Sequence, residues 1–166
     1  MVVDKYKQSN AIQITKKIES IGVNLSRLKK LVKAVCARFE ISNTTVDITI
    51  TGDAEIRRVN RRFLNRRSVT DCISFDLSDD ENRGRLFEVI VNGELAVRQA
   101  RQRGHSPQAE LALYITHGLL HNLGFNDQKD NQAKKMHKAE DEILQQFGYG
   151  LVYNSSVKKR RKTAGQ

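Results

Sequence analysis

Only two cysteines occur among the 166 residues, so a disulfide framework is not indicated and no disulfide-linked partner is expected. Cys36 and Cys72 sit among apolar residues of a helix-like and a strand-like segment, where a small buried thiol needs no special role. No apolar run approaches the roughly 18 residues of a membrane span, and the N-terminus lacks the uninterrupted apolar stretch of a signal peptide. A reducing, cytoplasmic compartment without membrane attachment is the expectation. Internal repeats are also lacking. Proline occurs once, as Pro107 directly after Ser106, and marks the start of a helix.

Positive charge is abundant. Lys and Arg number 29 against 19 Asp and Glu, a net charge of +10. Such an excess favours polyanionic partners, although basic surfaces also serve solubility, so a site is needed to decide. Two stretches concentrate it. Residues 57–67 hold Arg57, Arg58, Arg61, Arg62, Arg66 and Arg67, and the run Lys158, Lys159, Arg160, Arg161 and Lys162 stands near the C-terminus. Both read as phosphate contacts or as solvated charge.

The length suits one domain, placed at 1–150, followed by a flexible basic tail over 151–166. Residues 11–15 and 45–51 alternate as strands. Between them, Leu28, Leu31, Val32, Val35, Cys36 and Phe39 form one helical face, with Asn24 or Ser26 as N-cap. Asp53 is placed as the cap of a short helix whose core face is Ile56, Val59 and Phe63 and whose outer face is basic. Strands follow at 72–77 and 87–91 around a polar loop, then a short strand or turn at Glu94 to Val97 and a helical segment over 98–103 ended by Gly104. A long helix runs from Ser106-Pro107 through His121 and stops at Gly124, and a last helix spans Asp130 to Gly148. This order predicts an α+β domain: a small mixed β-sheet covered by helices, with the long helix that ends near His121 at its centre.

His117-Gly-Leu-Leu-His121 sets two imidazoles four residues apart, stacked on one helical face where their nitrogens can converge on one ion. Helix geometry would carry a third ligand away, so the chain must break and return, as Gly124-Phe125-Asn126-Asp127 allows. His117, His121 and Asp127 are therefore the candidate ligands of one divalent metal, zinc first. Catalytic zinc takes three protein groups and leaves the fourth position to a water whose pKa falls to about 7. Histidine pairs at this spacing also occur as ordinary core or surface residues, Phe125 could be plain core and Asn126 plain turn. Metallopeptidases of the H-E-x-x-H type carry a glutamate base after the first histidine, where Gly118 stands here. Phosphodiester attack can instead rely on the metal-activated water and on cations for the developing charge.

Three segments resemble the YbeY family of metal-dependent endoribonucleases, also described as ribosomal RNA maturation factors. His117-Gly-Leu-Leu-His121-Asn-Leu-Gly-Phe-Asn-Asp127 is similar to the family's H-G-x-L-H-x-x-G-Y-D-H. Val69-Thr70-Asp71-Cys72-Ile73-Ser74-Phe75 is similar to P-T-D-V-L-S-F, and Asn92-Gly93-Glu94-Leu95-Ala96 to the family's G-D-I strand. The resemblance implies a metal site in a cleft beside the sheet, cleavage of single-stranded RNA, and ribosomal RNA or ribosomal particles as partners. Asp127 stands where the family has a third histidine, Asn126 where it has aspartate, and Leu64 where it has an arginine associated with catalysis. Arg66 or Arg67 could substitute for that arginine, and Asp71 is the remaining catalytic candidate beside the metal-bound water, unless it only caps a turn. His105, ahead of the helix cap, faces the cleft or solvent, and His137 falls on the exposed side of the last helix. Two other functions remain open: a non-catalytic RNA-binding ribosome-assembly factor with a structural metal, and an aspartate-ligand metallopeptidase.

Overall fold

The computed structural model describes residues 9–79, 81, 84–150 and 152. The elements, in chain order, are β1 (Ala11–Lys16), α1 (Leu25–Arg38), β2 (Thr44–Thr51), α2 (Asp53–Leu64), β3 (Cys72–Asp76), β4 (Arg85–Asn92), α3 (Gly93–Arg103), α4 (Pro107–Asn122) and α5 (Asp130–Gln146). The four strands form one mixed sheet in the order β1-β2-β4-β3. β1, β2 and β4 run parallel, and β3 pairs antiparallel with β4.

Alternation along the strands divides the hydrophobic residues between the two faces. Val46, Ile48 and Ile50 lie in register with Phe87, Val89 and Val91, and all six are buried in the main core with α1 and α4. The opposite face holds Ile73, Ile90 and Phe75, and α2 covers them with Ile56 and Val59. α4 is apolar around nearly its whole circumference, which makes it a central helix walled by the sheet, α1, α3 and α5.

The caps follow local chemistry. Asn24 and Ser106 each accept a hydrogen bond from the backbone N–H three residues on, opening α1 and α4. Asn92 does the same for α3, which begins directly at the end of β4, so Glu94 to Val97 is the first turn of a helix and not a strand. The periodicity of so short an apolar segment cannot separate the two. Asp53 is also displaced from its expected role: Gly52 is the N-cap of α2, and the Asp53 carboxylate instead binds Asn92 Nδ2 and Arg98. Phe63 is 60% exposed, outside the expected core face, because α2 meets the sheet mainly through its first two turns. It stacks edge-on against Phe75.

Asn92 also sets the edge of the functional region. Fully buried, it donates from Nδ2 to the Thr70 carbonyl as well as to Asp53, and its backbone N–H donates to the Asp71 carbonyl. The Thr70–Asp71 turn is thereby fixed against the end of β4, next to α4.

Candidate metal centre

α4 ends in a Schellman motif. Gly124 is left-handed (φ +92°), its N–H donates to the His121 carbonyl, and the Phe125 N–H donates to the Leu120 carbonyl. Glycine suits this position because a side chain would strain the backbone. The reversal sends the Phe125 ring against Phe39 and turns its carbonyl to His121. Asn126 then accepts from the Gln128 N–H in an Asx turn that presents Asp127 back toward the helix.

His117 and His121 face each other through Nε2 atoms 3.0 Å apart, with ring planes at 88°. Asp127 Oδ2 lies 3.6 Å from His117 Nε2 and 3.7 Å from His121 Nε2. The other ring nitrogens decide what these atoms can do. His117 Nδ1 lies 2.6 Å from Glu140 Oε1, and His121 Nδ1 lies 3.1 Å from the Phe125 carbonyl. Both partners are acceptors, so both Nδ1 atoms carry the proton and neutral rings present bare Nε2 lone pairs. Two lone pairs and a carboxylate oxygen converging on one point repel one another unless a cation sits among them. The donor set therefore fits a divalent metal, with two imidazole nitrogens and one carboxylate oxygen.

Glu140 is fully buried and also accepts from His137 Nδ1 at 2.8 Å. Burial alone would raise its pKa, but the hydrogen bonds from His117 and His137 outweigh burial and hold it below the usual carboxylate value. For His117 the same balance holds with the opposite sign: burial opposes its charging, yet the Glu140 bond and the charges of Glu140, Asp71 and Asp127 raise its pKa. Burial, reinforced by Asp71, Glu140 and Asp127, pushes the Cys72 thiol well up, so it stays protonated beside the site.

A pocket of about 320 Å³ opens beside His117, and Asp71, Tyr114, His137 and Glu140 contribute to its lining. Asp71 Oδ1 accepts from the Cys72 N–H and the Thr70 hydroxyl. His137 is thus half-buried at the pocket and tied to Glu140, not on a plain exposed face as its helical position implied. His105 is turned inward instead of into the cleft and bonds the buried Glu110. Arg66 and Arg67 are exposed and do not line this pocket, nor do Arg57, Arg58, Arg61 and Arg62, which stand on the outer side of α2 with Arg58 paired to Glu55. Lys158, Lys159, Arg160, Arg161 and Lys162 lie outside the described residues. Glu140 is the functional residue that sequence reading missed. Its signal was present: an acid on the apolar stripe of α5 with Met136, Ile143 and Leu144 has to have a partner inside.

The family model described as Endoribonuclease YbeY matches residues 13–148. The chain belongs to the YbeY family. Among proteins named Endoribonuclease YbeY, one from Anaeromyxobacter sp. (strain Fw109-5) is 33% identical over 123 residues, spanning 74% of this chain and 64% of the relative. The relative from Syntrophus aciditrophicus is 31% identical, covering 83% of this chain and 90% of its own length. That from Aquifex aeolicus is 26% identical over 87% of this chain and 97% of its own length. The YbeY-like α+β fold is shared with a solution structure of a Thermotoga maritima protein at a TM-score of 0.56 and 22% identity, covering 82% of this chain and 88% of that one.

Proposed function

We propose that this YbeY-family chain is a metal-dependent endoribonuclease that cleaves single-stranded RNA during ribosomal RNA maturation. The observation that carries the metal is the convergence of two bare imidazole nitrogens and the Asp127 oxygen, each ring held in its tautomer by an acceptor on the far side. The RNA substrate rests on family membership and on the +10 net charge. His117, His121 and Asp127 would hold one ion, with zinc the first choice from the two nitrogen donors. A divalent metal held there supplies Lewis-acid activation of water and of a phosphoryl oxygen.

The chain's own groups do the rest. Asp71, anchored through Oδ1 and lining the same pocket as His117, would take a proton from the attacking water. Arg57, Arg58, Arg61, Arg62, Arg66 and Arg67 form an exposed basic strip that would contact the RNA backbone on approach, and the cations of Lys158 to Lys162 would add further phosphate contacts. Among the described residues no helix is long and apolar enough to cross a membrane.

Two observations weigh against the alternatives. A structural metal wants four protein ligands, whereas among the described residues three donors gather here beside an open pocket. A peptidase base following the first histidine has no room, because a Cβ on Gly118 would lie 2.7 Å from Val89 Cγ1. The test is metal analysis of the purified protein combined with cleavage of a single-stranded RNA and of a peptide, with and without chelator. RNA cleavage that chelator stops supports the reading. Bound metal without RNA cleavage, or cleavage indifferent to chelator, overturns it.

A further inference from the structure

The pocket beside His117 extends along α3, away from the other two metal donors. Leu95, Gln99 and Arg103, spaced four residues apart, put one face of α3 along it, opposite Leu113 on α4. At the far end Arg103 Nη1 donates to Glu110 Oε1 at 2.6 Å, and Glu110 is fully buried, with His105 on its other oxygen. The position of the guanidinium is therefore set before any ligand arrives.

We propose that this pocket seats the base of the nucleotide next to the cleaved phosphate, and that Gln99 and Arg103 read its edge in favour of guanine. The proposal rests on the endoribonuclease reading and adds a base preference to it. Three features favour a base over a second phosphate. Val69, Leu95 and Leu113 give the pocket apolar walls suited to a flat ring. Glu110 offsets the charge of Arg103, and Asp71 at the metal end repels an anion. The volume of about 320 Å³ is at the small end of ligand sites, enough for one unstacked base and not for a duplex. Among the bases, guanine alone presents O6 and N7 as two acceptors side by side, the edge that a planar guanidinium matches. Adenine sets an amino donor against it, and pyrimidines lay a smaller ring against the apolar walls of Val69, Leu95 and Leu113.

The experiment titrates the metal-loaded protein with GMP and with CMP by calorimetry, so that the shared phosphate cancels, and maps cleavage on RNAs carrying each base beside a fixed site. The wild type is expected to bind GMP about tenfold more tightly than CMP and to cut next to guanine. Gln99→Ala leaves the Glu110 pair untouched. Arg103→Lys keeps a cation on Glu110 but loses the planar fork. Both variants should lose most of the preference while keeping wild-type metal content and melting temperature. Equal binding of GMP and CMP by the wild type, or a preference that survives both variants, overturns the assignment. Cleavage of RNA without any base preference sinks the pocket and leaves the nuclease reading standing. A GMP preference in a protein that cuts no RNA supports the pocket and sinks the nuclease reading.

Discussion

Glu140→Gln is the substitution that most directly tests how the candidate centre is held. The side chain keeps its size, and Glu140 is fully buried, so packing changes little. What changes is the hydrogen-bond arithmetic. The carboxylate accepts from His117 Nδ1 at 2.6 Å and from His137 Nδ1 at 2.8 Å, whereas an amide offers one acceptor and one donor. One ring must then move its proton to Nε2. If that ring is His117, the nitrogen facing Asp127 and His121 becomes a donor and cannot ligate. If it is His137, His117 keeps its tautomer but loses a charged partner that makes its Nε2 more basic. Loss of such a partner typically costs about 10–100-fold in metal affinity, on the order of 1.4–2.7 kcal/mol. The assay is competition between protein and a chromogenic chelator for zinc. Adding His137→Ala to Glu140→Gln frees the amide oxygen for His117 and should recover the part of the loss due to the tautomer conflict. Zinc affinity of Glu140→Gln within about twofold of wild type, well short of that range, would show that Glu140 does not orient the histidine.

Asp127→Ala should lose most bound metal, while Asp127→His should retain zinc and accept manganese less readily than wild type, as mass spectrometry of the purified proteins would show. Equal zinc in wild type and Asp127→Ala would remove Asp127 from the ligand set. Gly118→Ala should lower stability by roughly 1–3 kcal/mol in a urea titration, because the added methyl would stand 2.7 Å from Val89 Cγ1 on the neighbouring strand; no change would mean that α4 can shift off the sheet freely. Asp53 has its pKa lowered, first by the Arg98 hydrogen bond and then by Asn92, against the opposing effect of burial. Its contribution is therefore present above its unfolded pKa of about 3.9 and lost as pH falls through the lower folded value. The stability gap between wild type and Asp53→Asn should stay constant from neutral pH to about pH 5 and shrink in more acidic solution, and a gap that widens on acidification would contradict the ion pair.

Much of this arrangement was legible in the sequence because it is local. The four-residue spacing of His117 and His121, the Ser106-Pro107 start and the Gly124 stop are each decided within one or two turns of chain, and the structure places them as their chemistry implies. What could not be read depends on contacts between distant segments. Glu140 meets His117 across 23 residues, Arg98 reaches Asp53 across 45, and both pairings need the helices already packed. Phe63 misled because a helical face predicts which side is apolar, not how much of the helix length the sheet covers. Glu94 to Val97 misled because Asn92 caps a helix with no intervening loop, and the Asn92-Gly93 pair marks a break in the chain without deciding whether a strand or a helix follows.

The three candidate ligands are not held alike, and that difference bears on the metal the site selects. His117 is backed by a buried carboxylate on α5, and His121 by a backbone carbonyl inside a closed helix terminus, so each ring has a partner on its far side that sets its orientation. Asp127 stands on the turn beyond Gly124 with its side chain 40% exposed, and its oxygen lies 3.6 and 3.7 Å from the two nitrogens, against 3.0 Å between the nitrogens themselves. Two donors are thus fixed by the fold, and the third is free to approach as the ion requires. A rigid nitrogen pair with an adjustable carboxylate can close on a small tetrahedral ion, and it can relax toward the longer oxygen contacts of a harder one. On the proposed three-ligand site, selectivity would reside in Asp127 and the Asn126 turn that aims it, the part of the site where the sequence departs from the three-histidine pattern.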